Sequence, residues 1–215
     1  MVSSPLTATP EEVATPHMPA AAQDRLARAY QDATVILEYG SGGSTELASA
    51  MTGKYVMSVE SDRDWANALR QKIYRTYPQA RTVVHHVDIG ETGPWGRALT
   101  DHHWRDFHHY PNDIWDRPFF RQPDVILIDG RFRTACLAAA LLRTTKAVTI
   151  LFDDYVDRPK YHAVEQVIEP ACYHGRMAEF HVRPGMATSA HISVLVEQYF
   201  QATLHGAGPN QYRAN

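Results

Sequence analysis

The sequence has few features of a secreted, membrane-bound or nucleic-acid-binding protein. It holds two cysteines, Cys136 and Cys172, among 215 residues, too few for a disulfide framework or a cysteine-built zinc site. No apolar run is long enough to cross a membrane, and no cluster of lysine and arginine offers a surface for nucleic acid. The formal net charge is only −3. We therefore expect a cytoplasmic protein that acts on a small molecule and contacts neither membrane nor nucleic acid.

The composition predicts one domain between two tails. With 44% apolar residues, a chain of this length can bury one full core. Prolines at positions 5, 10, 16 and 19 break any helix, which predicts a disordered tail over residues 1–22. The domain then covers 23–200, and a C-terminal tail follows over 201–215.

Strands and helices alternate along the predicted domain. Apolar runs at 34–39, 54–60, 81–87, 123–129 and 147–153 predict strands, and helical spacing predicts helices from Asp24 and over 44–51, 62–77, 135–142 and 161–168. This alternation is typical of a doubly wound, mostly parallel α/β sheet with right-handed crossovers. The segments 177–183 and 190–197 alternate in hydropathy, which predicts an antiparallel hairpin at the sheet edge.

A glycine-rich turn follows the first strand in Glu38-Tyr-Gly40-Ser-Gly42-Gly43-Ser44. Such a turn lets a ligand approach the backbone, and the next helix offers free N–H groups there. The second strand ends in Glu60, a carboxylate placed to accept hydrogen bonds from ribose hydroxyls. A dinucleotide fingerprint would need glycine where the chain has Thr45, and a phosphate-binding loop would need a nearby lysine. The pattern thus predicts a nucleoside ligand that is neither a dinucleotide nor ATP or GTP.

The E-x-G-x-G pattern of Glu38, Gly40 and Gly42 resembles motif I of class I S-adenosylmethionine-dependent methyltransferases, with Ser44 where many members carry a third glycine. The resemblance covers about 24–198 and implies a seven-stranded sheet with an antiparallel C-terminal hairpin. It implies methyl transfer to a small molecule at oxygen. It also implies that S-adenosylmethionine binds at Glu38, Gly40, Gly42, Ser44, Glu60, Asp88 and Asp129, with Asp88 near the adenine amino group.

Two alternatives to methyl transfer stay open. The fold could bind decarboxylated S-adenosylmethionine for aminopropyl transfer, but the acids that would hold a polyamine are not found in the sequence. It could also be a binding or assembly module without turnover, since a fold does not establish chemistry.

Three acids end neighbouring strands: Asp129, Asp153 and Asp154. Adjacent carboxylates repel one another unless a cation lies between them, and their oxygens suit Mg²⁺ or another divalent cation. The segment Phe152-Asp153-Asp154-Tyr155 is similar to that of macrolide sugar O-methyltransferases, and the set resembles that of catechol O-methyltransferases. This implies a metal at all three acids that lowers the pKa of an acceptor hydroxyl.

The sequence also offers a metal-free interpretation of these acids. Asp129 would orient Arg131 or Arg133, and Asp154 would cap the next helix. The two arginines would either neutralise the acids or meet a substrate carboxylate or phosphate.

The remaining candidates are a base and a lid. Asp153 and His162 are the predicted catalytic residues, with His162 as the base that removes the acceptor's proton. The insertion 90–122 is too long for a plain strand–helix connection and is rich in aromatic and histidine side chains, which predicts a substrate-binding lid. Its alternative role is the contact of a homodimer. Its paired histidines lack the spacing of a zinc site.

Overall fold

The structure, a computed structural model, describes residues 15–201. Among these residues the strands are Val35–Tyr39 (β1), Tyr55–Glu60 (β2), Arg81–His86 (β3), Thr92–Gly93 (β4), Arg97–Ala98 (β5), Val125–Ile128 (β6), Val148–Phe152 (β7), Cys172–His174 (β8) and Met177–Val182 (β9). The α-helices are Ala20–Asp32 (α1), Gly43–Ala50 (α2), Arg63–Thr76 (α3), His109–Asn112 (α4), Arg133–Arg143 (α5) and Ile192–Gln198 (α6). Short 3₁₀ helices lie at Pro94–Gly96, Asp113–Asp116, Pro159–Gln166 and Ser189–His191.

Seven strands form one sheet in the order β3-β2-β1-β6-β7-β9-β8. The first five run parallel, and β9 pairs antiparallel with both β7 and β8. The central strands are nearly continuous runs of valine, isoleucine and leucine because helices cover both faces of the sheet. The predicted fold class is confirmed. In a parallel sheet of this kind the carboxyl ends of neighbouring strands meet at one edge, where ligands bind.

Apolar side chains pack on both faces of the sheet. The larger core cluster joins α5 to β6, β7 and β9, and the second joins α1 to the opposite face through Leu26, Tyr30, Ile36 and Val125. No helix within residues 15–201 has the length and apolar character needed to cross a membrane.

The edge hairpin is formed by different residues from those predicted. The strand predicted at 190–197 is wrong, because Ile192–Gln198 is helical and β8, at 172–174, pairs with β9 instead. The helix buries Leu195 and Gln198 while Ile192 is 56% exposed, which is a one-sided pattern of helical spacing. The predicted helix at 161–168 is a 3₁₀ helix that begins at Pro159.

The predicted N-terminal tail ends earlier than residue 22. Residues 1–14 lie outside the described part of the chain, but α1 begins at Ala20 and Met18 is buried in the second core cluster. The Gln23 side chain donates to the carbonyls of Pro16 and Met18, which holds this segment against the helix. Of the predicted C-terminal tail, residues 202–215 also lie outside the described residues.

Candidate active site

A cavity of about 410 Å³ opens at the carboxyl ends of β1, β2 and β6. The glycine turn after β1, the end of β2 and the residues after β6 form its floor, and parts of the insertion and of the segment before α1 form its roof. Its lining residues include Gly40, Gly42, Ser44, Glu60, Asp62, Trp65, Trp95, Tyr110, Asp129 and Arg131, together with 15–18. The topology thus brings five of the seven predicted cofactor residues to one cavity, and Glu38 and Asp88 lie outside its lining.

Glycine is required where β1 and β6 approach each other at the cavity floor. Gly40 has φ +97°, and a Cβ there would lie 2.7 Å from the backbone of Gly130. A Cβ at Gly130 would lie 2.2 Å from the hydroxyl of Tyr110. At Gly42, by contrast, an added Cβ would meet no described atom within 4 Å. Two of these glycines therefore serve close backbone packing, whereas Gly42 leaves space at the cavity.

Glu60 ends β2 with its carboxylate at the cavity and 7% of the residue exposed. Its Oε2 accepts from the Ser41 hydroxyl at 2.7 Å, and its Oε1 accepts from the backbone N–H groups of Ser61 and Asp62 at 2.7 and 2.9 Å. All of these donors are neutral. Each oxygen keeps a fixed orientation, and a ribose hydroxyl can replace the Ser41 hydroxyl at Oε2.

Glu38 supports the turn from beneath. The carboxylate is fully buried and accepts from the hydroxyls of Tyr30, at 2.6 Å, and Thr45. Burial raises the pKa of Glu38, against the lowering effect of those two hydroxyls. The Thr45 hydroxyl in turn accepts from the Gly42 N–H at 3.0 Å, so Glu38 positions the glycine turn through Thr45.

Asp88 is an exposed acid of the following loop. It pairs with Arg63 at 3.3 Å, and its side chain is 65% exposed. The adenine contact that the resemblance implies for Asp88 stays a prediction.

Three arginines bind the three strand-end aspartates. Arg133 lies 2.9 Å from an oxygen of Asp129 and 3.2 Å from Asp154, and it also donates to backbone carbonyls of Asp129, Gly130 and Asp153. Arg176, in the turn between β8 and β9, binds the fully buried Asp153 at 2.7 Å and Asp154 at 2.9 Å. Arg158 donates to Asp154 at 2.6 Å.

A divalent cation does not fit these carboxylates as they are placed. One oxygen from each acid lies within 4.8 Å of the others, which is close enough for a shared ion. However, the guanidinium groups already supply the positive charge that such carboxylates need, and they use the oxygen atoms that a metal would coordinate. The sequence prediction that Asp129 orients an arginine agrees with this geometry. Asp154 does not cap the next helix, which has no side-chain cap.

Asp129 differs from its two neighbours because it lines the cavity. Its side chain is 33% exposed, whereas that of Asp153 is fully buried. Burial of the carboxyl raises the pKa of Asp129 to about 6; Arg133 and Arg176 oppose the increase, and Asp153 and Asp154 add to it. A carboxyl group with such a pKa can exchange a proton near neutral pH.

His162 faces its own chain segment. Its ring stacks on Tyr155 at 4.8 Å, its Nε2 lies 3.1 Å from the Tyr155 carbonyl, and the residue is outside the cavity lining. The catalytic role of His162 stays a prediction from sequence that this geometry does not favour.

The insertion divides into a roof and a buried part. Trp95 is 74% exposed and lines the cavity, in contact with the ring of His17 at 6.0 Å. In contrast, Phe107, Tyr110, Ile114 and Trp115 are buried in the core. The expectation of a lid therefore suits only the first part of 90–122, because the second part is packed too tightly to open.

Sequence reasoning missed Trp65 and the residues before α1. The indole of Trp65 donates to the Ser41 carbonyl at 2.9 Å and covers the glycine turn. An aromatic residue in the first turn of the helix after Glu60 was a usable signal for it. Residues 15–18 gave no such signal, since proline-rich composition indicates only an absence of helix.

The comparisons with known proteins agree with this geometry. No family model and no curated protein matches the chain. A methyltransferase-like protein from Silicibacter pomeroyi is 42% identical in a match that covers 85% of this chain and 95% of that one, with a TM-score of 0.79. The chain belongs to the class I S-adenosylmethionine-dependent methyltransferase family.

More distant members of the class share only the fold. An O-methyltransferase from Bacillus cereus in complex with S-adenosylhomocysteine is 19% identical over 79% of this chain and 84% of its own, with a TM-score of 0.51. A methyltransferase from Geobacter sulfurreducens is 11% identical over 78% and 82%, with a TM-score of 0.51.

Proposed function

We propose that this member of the family binds S-adenosylmethionine in the cavity and transfers its methyl group to an oxygen of a small-molecule acceptor. The supporting observation is the position of Glu60, whose carboxylate faces the same cavity as the glycine turn of Gly40 and Gly42. A carboxylate there suits ribose hydroxyls, and the open turn suits a ligand close to the backbone.

Methyl transfer asks the protein mainly for alignment and for removal of a proton. The methyl group is carried on a cationic sulfur, so a nucleophile held in line with it needs no further activation of carbon. In this proposal Asp129 takes the acceptor's proton, because it lines the cavity and its pKa is raised to about 6. Asp153 and Asp154 keep Arg176 and Arg158 in place and do not contact the acceptor.

We also propose that turnover needs no divalent cation. Arg133, Arg158 and Arg176 stabilise the three carboxylates by charge-assisted hydrogen bonds, which are the contacts that a metal would otherwise provide.

The first test is titration calorimetry of the purified chain with S-adenosylmethionine and S-adenosylhomocysteine, each with Mg²⁺ and with excess chelator. We expect both ligands to bind with micromolar affinity. Neither Mg²⁺ nor the chelator should change that affinity. Absence of binding by both would refute the cofactor assignment, and Mg²⁺-dependent binding would refute the metal-free interpretation.

A second test follows the methyl group itself. S-adenosylmethionine labelled with ¹³C in the methyl group is incubated with a panel of phenols, sugars and hydroxy acids, and new O-methyl signals are observed by NMR. For an acceptor found in this way, Asp129→Asn should lower kcat strongly and abolish its increase through pH 6, without loss of S-adenosylhomocysteine affinity. Cofactor binding without turnover of any acceptor would instead favour the binding module.

A further inference from the structure

Arg131 is a buried arginine at the cavity. It is only 9% exposed, and its Nε is buried without a hydrogen-bond partner among residues 15–201. Its neighbour Arg133, two residues later, has three carbonyl and two carboxylate partners. The two arginines after β6 therefore differ: Arg133 is paired, whereas Arg131 lines the cavity with an Nε that has no partner in the described part of the chain.

A second arginine with the same deficit lies close by. Arg97, in β5 of the roof, has a buried Nε that also lacks a partner within the described residues. Arg97 and Arg133 both lower the pKa of Arg131, after the larger effect of burial. Burial of the Arg131 guanidinium near two other arginines, with no acid paired to it among the described residues, is unfavourable unless an anion is present.

The charge balance around this end of the cavity supports the same conclusion. Three aspartates, Asp129, Asp153 and Asp154, are matched by Arg133, Arg158 and Arg176. Arg97 and Arg131, by contrast, form no ion pair with an acid among residues 15–201.

Arg131 lies two residues after Asp129, the proposed base, and both residues line the cavity. The groups that act on the charge of Arg131 are Arg133, Tyr110, Arg97 and Tyr161, which belong to α5, the insertion and the 159–166 helix. An anion at Arg131 would thus lie close to the position proposed for the acceptor's hydroxyl at Asp129.

We infer that Arg131 forms an anion subsite in the cavity that holds a carboxylate or phosphate group of the methyl acceptor. This inference rests on the proposed function, because it takes the ribose end of the cavity as the cofactor position. The planar guanidinium of Arg131 suits bidentate contact with either oxyanion. The acceptor is then an acidic small molecule, with its hydroxyl directed toward Asp129.

The carboxylate that Arg131 binds could also come from the amino-acid end of the cofactor. Calorimetry with two ligands separates the two sources: S-adenosylhomocysteine carries that carboxylate, and 5′-methylthioadenosine lacks it. Anion binding is then measured on the full chain saturated with S-adenosylhomocysteine, with benzoate and inorganic phosphate as probes. The variants are Arg131→Gln, Arg131→Lys and, as a control on the exposed face of α1, Arg28→Gln.

We expect benzoate or phosphate to bind the saturated wild type and to bind Arg131→Gln about tenfold more weakly or worse. Arg131→Lys should recover part of the loss, and Arg28→Gln should behave as wild type. Both adenosine ligands should bind Arg131→Gln with wild-type affinity. Thermal unfolding of each variant checks that the fold is retained.

Three results would overturn the inference. Loss of S-adenosylhomocysteine affinity in Arg131→Gln, with methylthioadenosine unaffected, would assign Arg131 to the cofactor carboxylate. Absence of anion binding to the wild type, or equal binding to Arg131→Gln, would refute the subsite. Failure of both adenosine ligands to bind the wild type would instead refute the proposed function, and anion titration of the free protein would then test Arg131 alone.

Discussion

The carboxylates at the ends of the parallel strands are held in two different ways. At the end of β2, Glu60 accepts hydrogen bonds from hydroxyl and backbone donors that carry no charge. At the ends of β6 and β7, the three aspartates are bound by guanidinium groups. Neutral donors can be exchanged for those of a ligand at little cost, whereas removal of one partner of a buried ion pair is expensive. The first arrangement suits binding, and the second suits a fixed framework beside the reacting groups.

The largest expected effect separates two roles of glycine in the turn after β1: close backbone packing at Gly40 and open space for a ligand at Gly42. Gly40→Ala should lower the free energy of unfolding by about 3 kcal/mol, because its Cβ would meet the backbone of Gly130 and its φ is positive. Gly42→Ala is the matched control: it should keep the stability and lower only the affinity for S-adenosylhomocysteine. Denaturant unfolding and calorimetry measure the two quantities. Wild-type stability of Gly40→Ala would contradict the close approach of β1 and β6.

The next effect concerns the arginine-bound end. Asp153→Asn should lower the free energy of unfolding by about 3 kcal/mol, because it leaves the Arg176 charge without its buried partner. We expect no change in the affinity for S-adenosylhomocysteine, measured by calorimetry. Asp157→Asn, at an exposed position in the same loop, serves as the control. A loss of cofactor affinity without a loss of stability would assign Asp153 to the ligand instead.

The substitution Glu60→Gln, at the end of β2, should do the opposite of Asp153→Asn: it should lower the cofactor affinity and leave the stability nearly unchanged. The amide keeps an acceptor for the N–H groups of Ser61 and Asp62 but replaces the oxygen offered to the ribose. We expect a loss of about 2 kcal/mol of binding free energy for S-adenosylhomocysteine, or about thirtyfold, with little change in stability. Asp88→Asn is the control, and an equal loss there would restore the adenine contact implied by the family resemblance.

The smallest expected effect tests an arginine–carboxylate pair outside the cavity. Glu179 of β9 is bound by Arg25 at 2.7 and 2.9 Å and by His174 and His181. The bond to Arg25 and, after it, those to His181 and His174 hold the pKa of Glu179 well below its usual 4.5. A lowered pKa means that this stabilisation is present above pH 4.5 and is lost as the pH decreases below that value.

Glu179→Gln should therefore lower the free energy of unfolding by about 1.5 kcal/mol at neutral pH. The difference in the free energy of unfolding between variant and wild type should become smaller in acid. Denaturant unfolding at neutral pH and at a pH below 4.5 measures this difference. Cofactor affinity should be unchanged. A difference that stays constant with pH would indicate that packing, and not charge, is responsible.

Much of the fold was predictable because its signals are local. Buried parallel strands are continuous apolar runs, and Glu60 follows such a run directly. The helix at 192–198 was not predictable, since the run Ile-Ser-Val-Leu-Val fits both spacings until β8 is known to occupy the sheet edge. The pairing of Asp153 with Arg176 was also hidden, because it depends on a hairpin 23 residues away. Sequence alone also could not tell the paired Arg133 from Arg131, because the partners of Arg133 follow different strands that only the fold brings together.

The buried half of the insertion belongs to the central fold and is not a removable loop. Tyr110 is fully buried, and its hydroxyl both donates to the Val59 carbonyl and accepts from the Arg131 N–H, each at 3.3 Å. Trp115 donates to the hydroxyl of Tyr39 at 2.7 Å. Exchange of the whole insertion with that of a relative would remove these hydrogen bonds from the core of the protein. The ribbon of β4 and β5 is attached as well, since Ala98 is buried in the core and the Ser61 hydroxyl donates to the Gly96 carbonyl at 2.8 Å. The insertion is therefore part of the domain, and any replacement of it has to be matched by changes at these contacts.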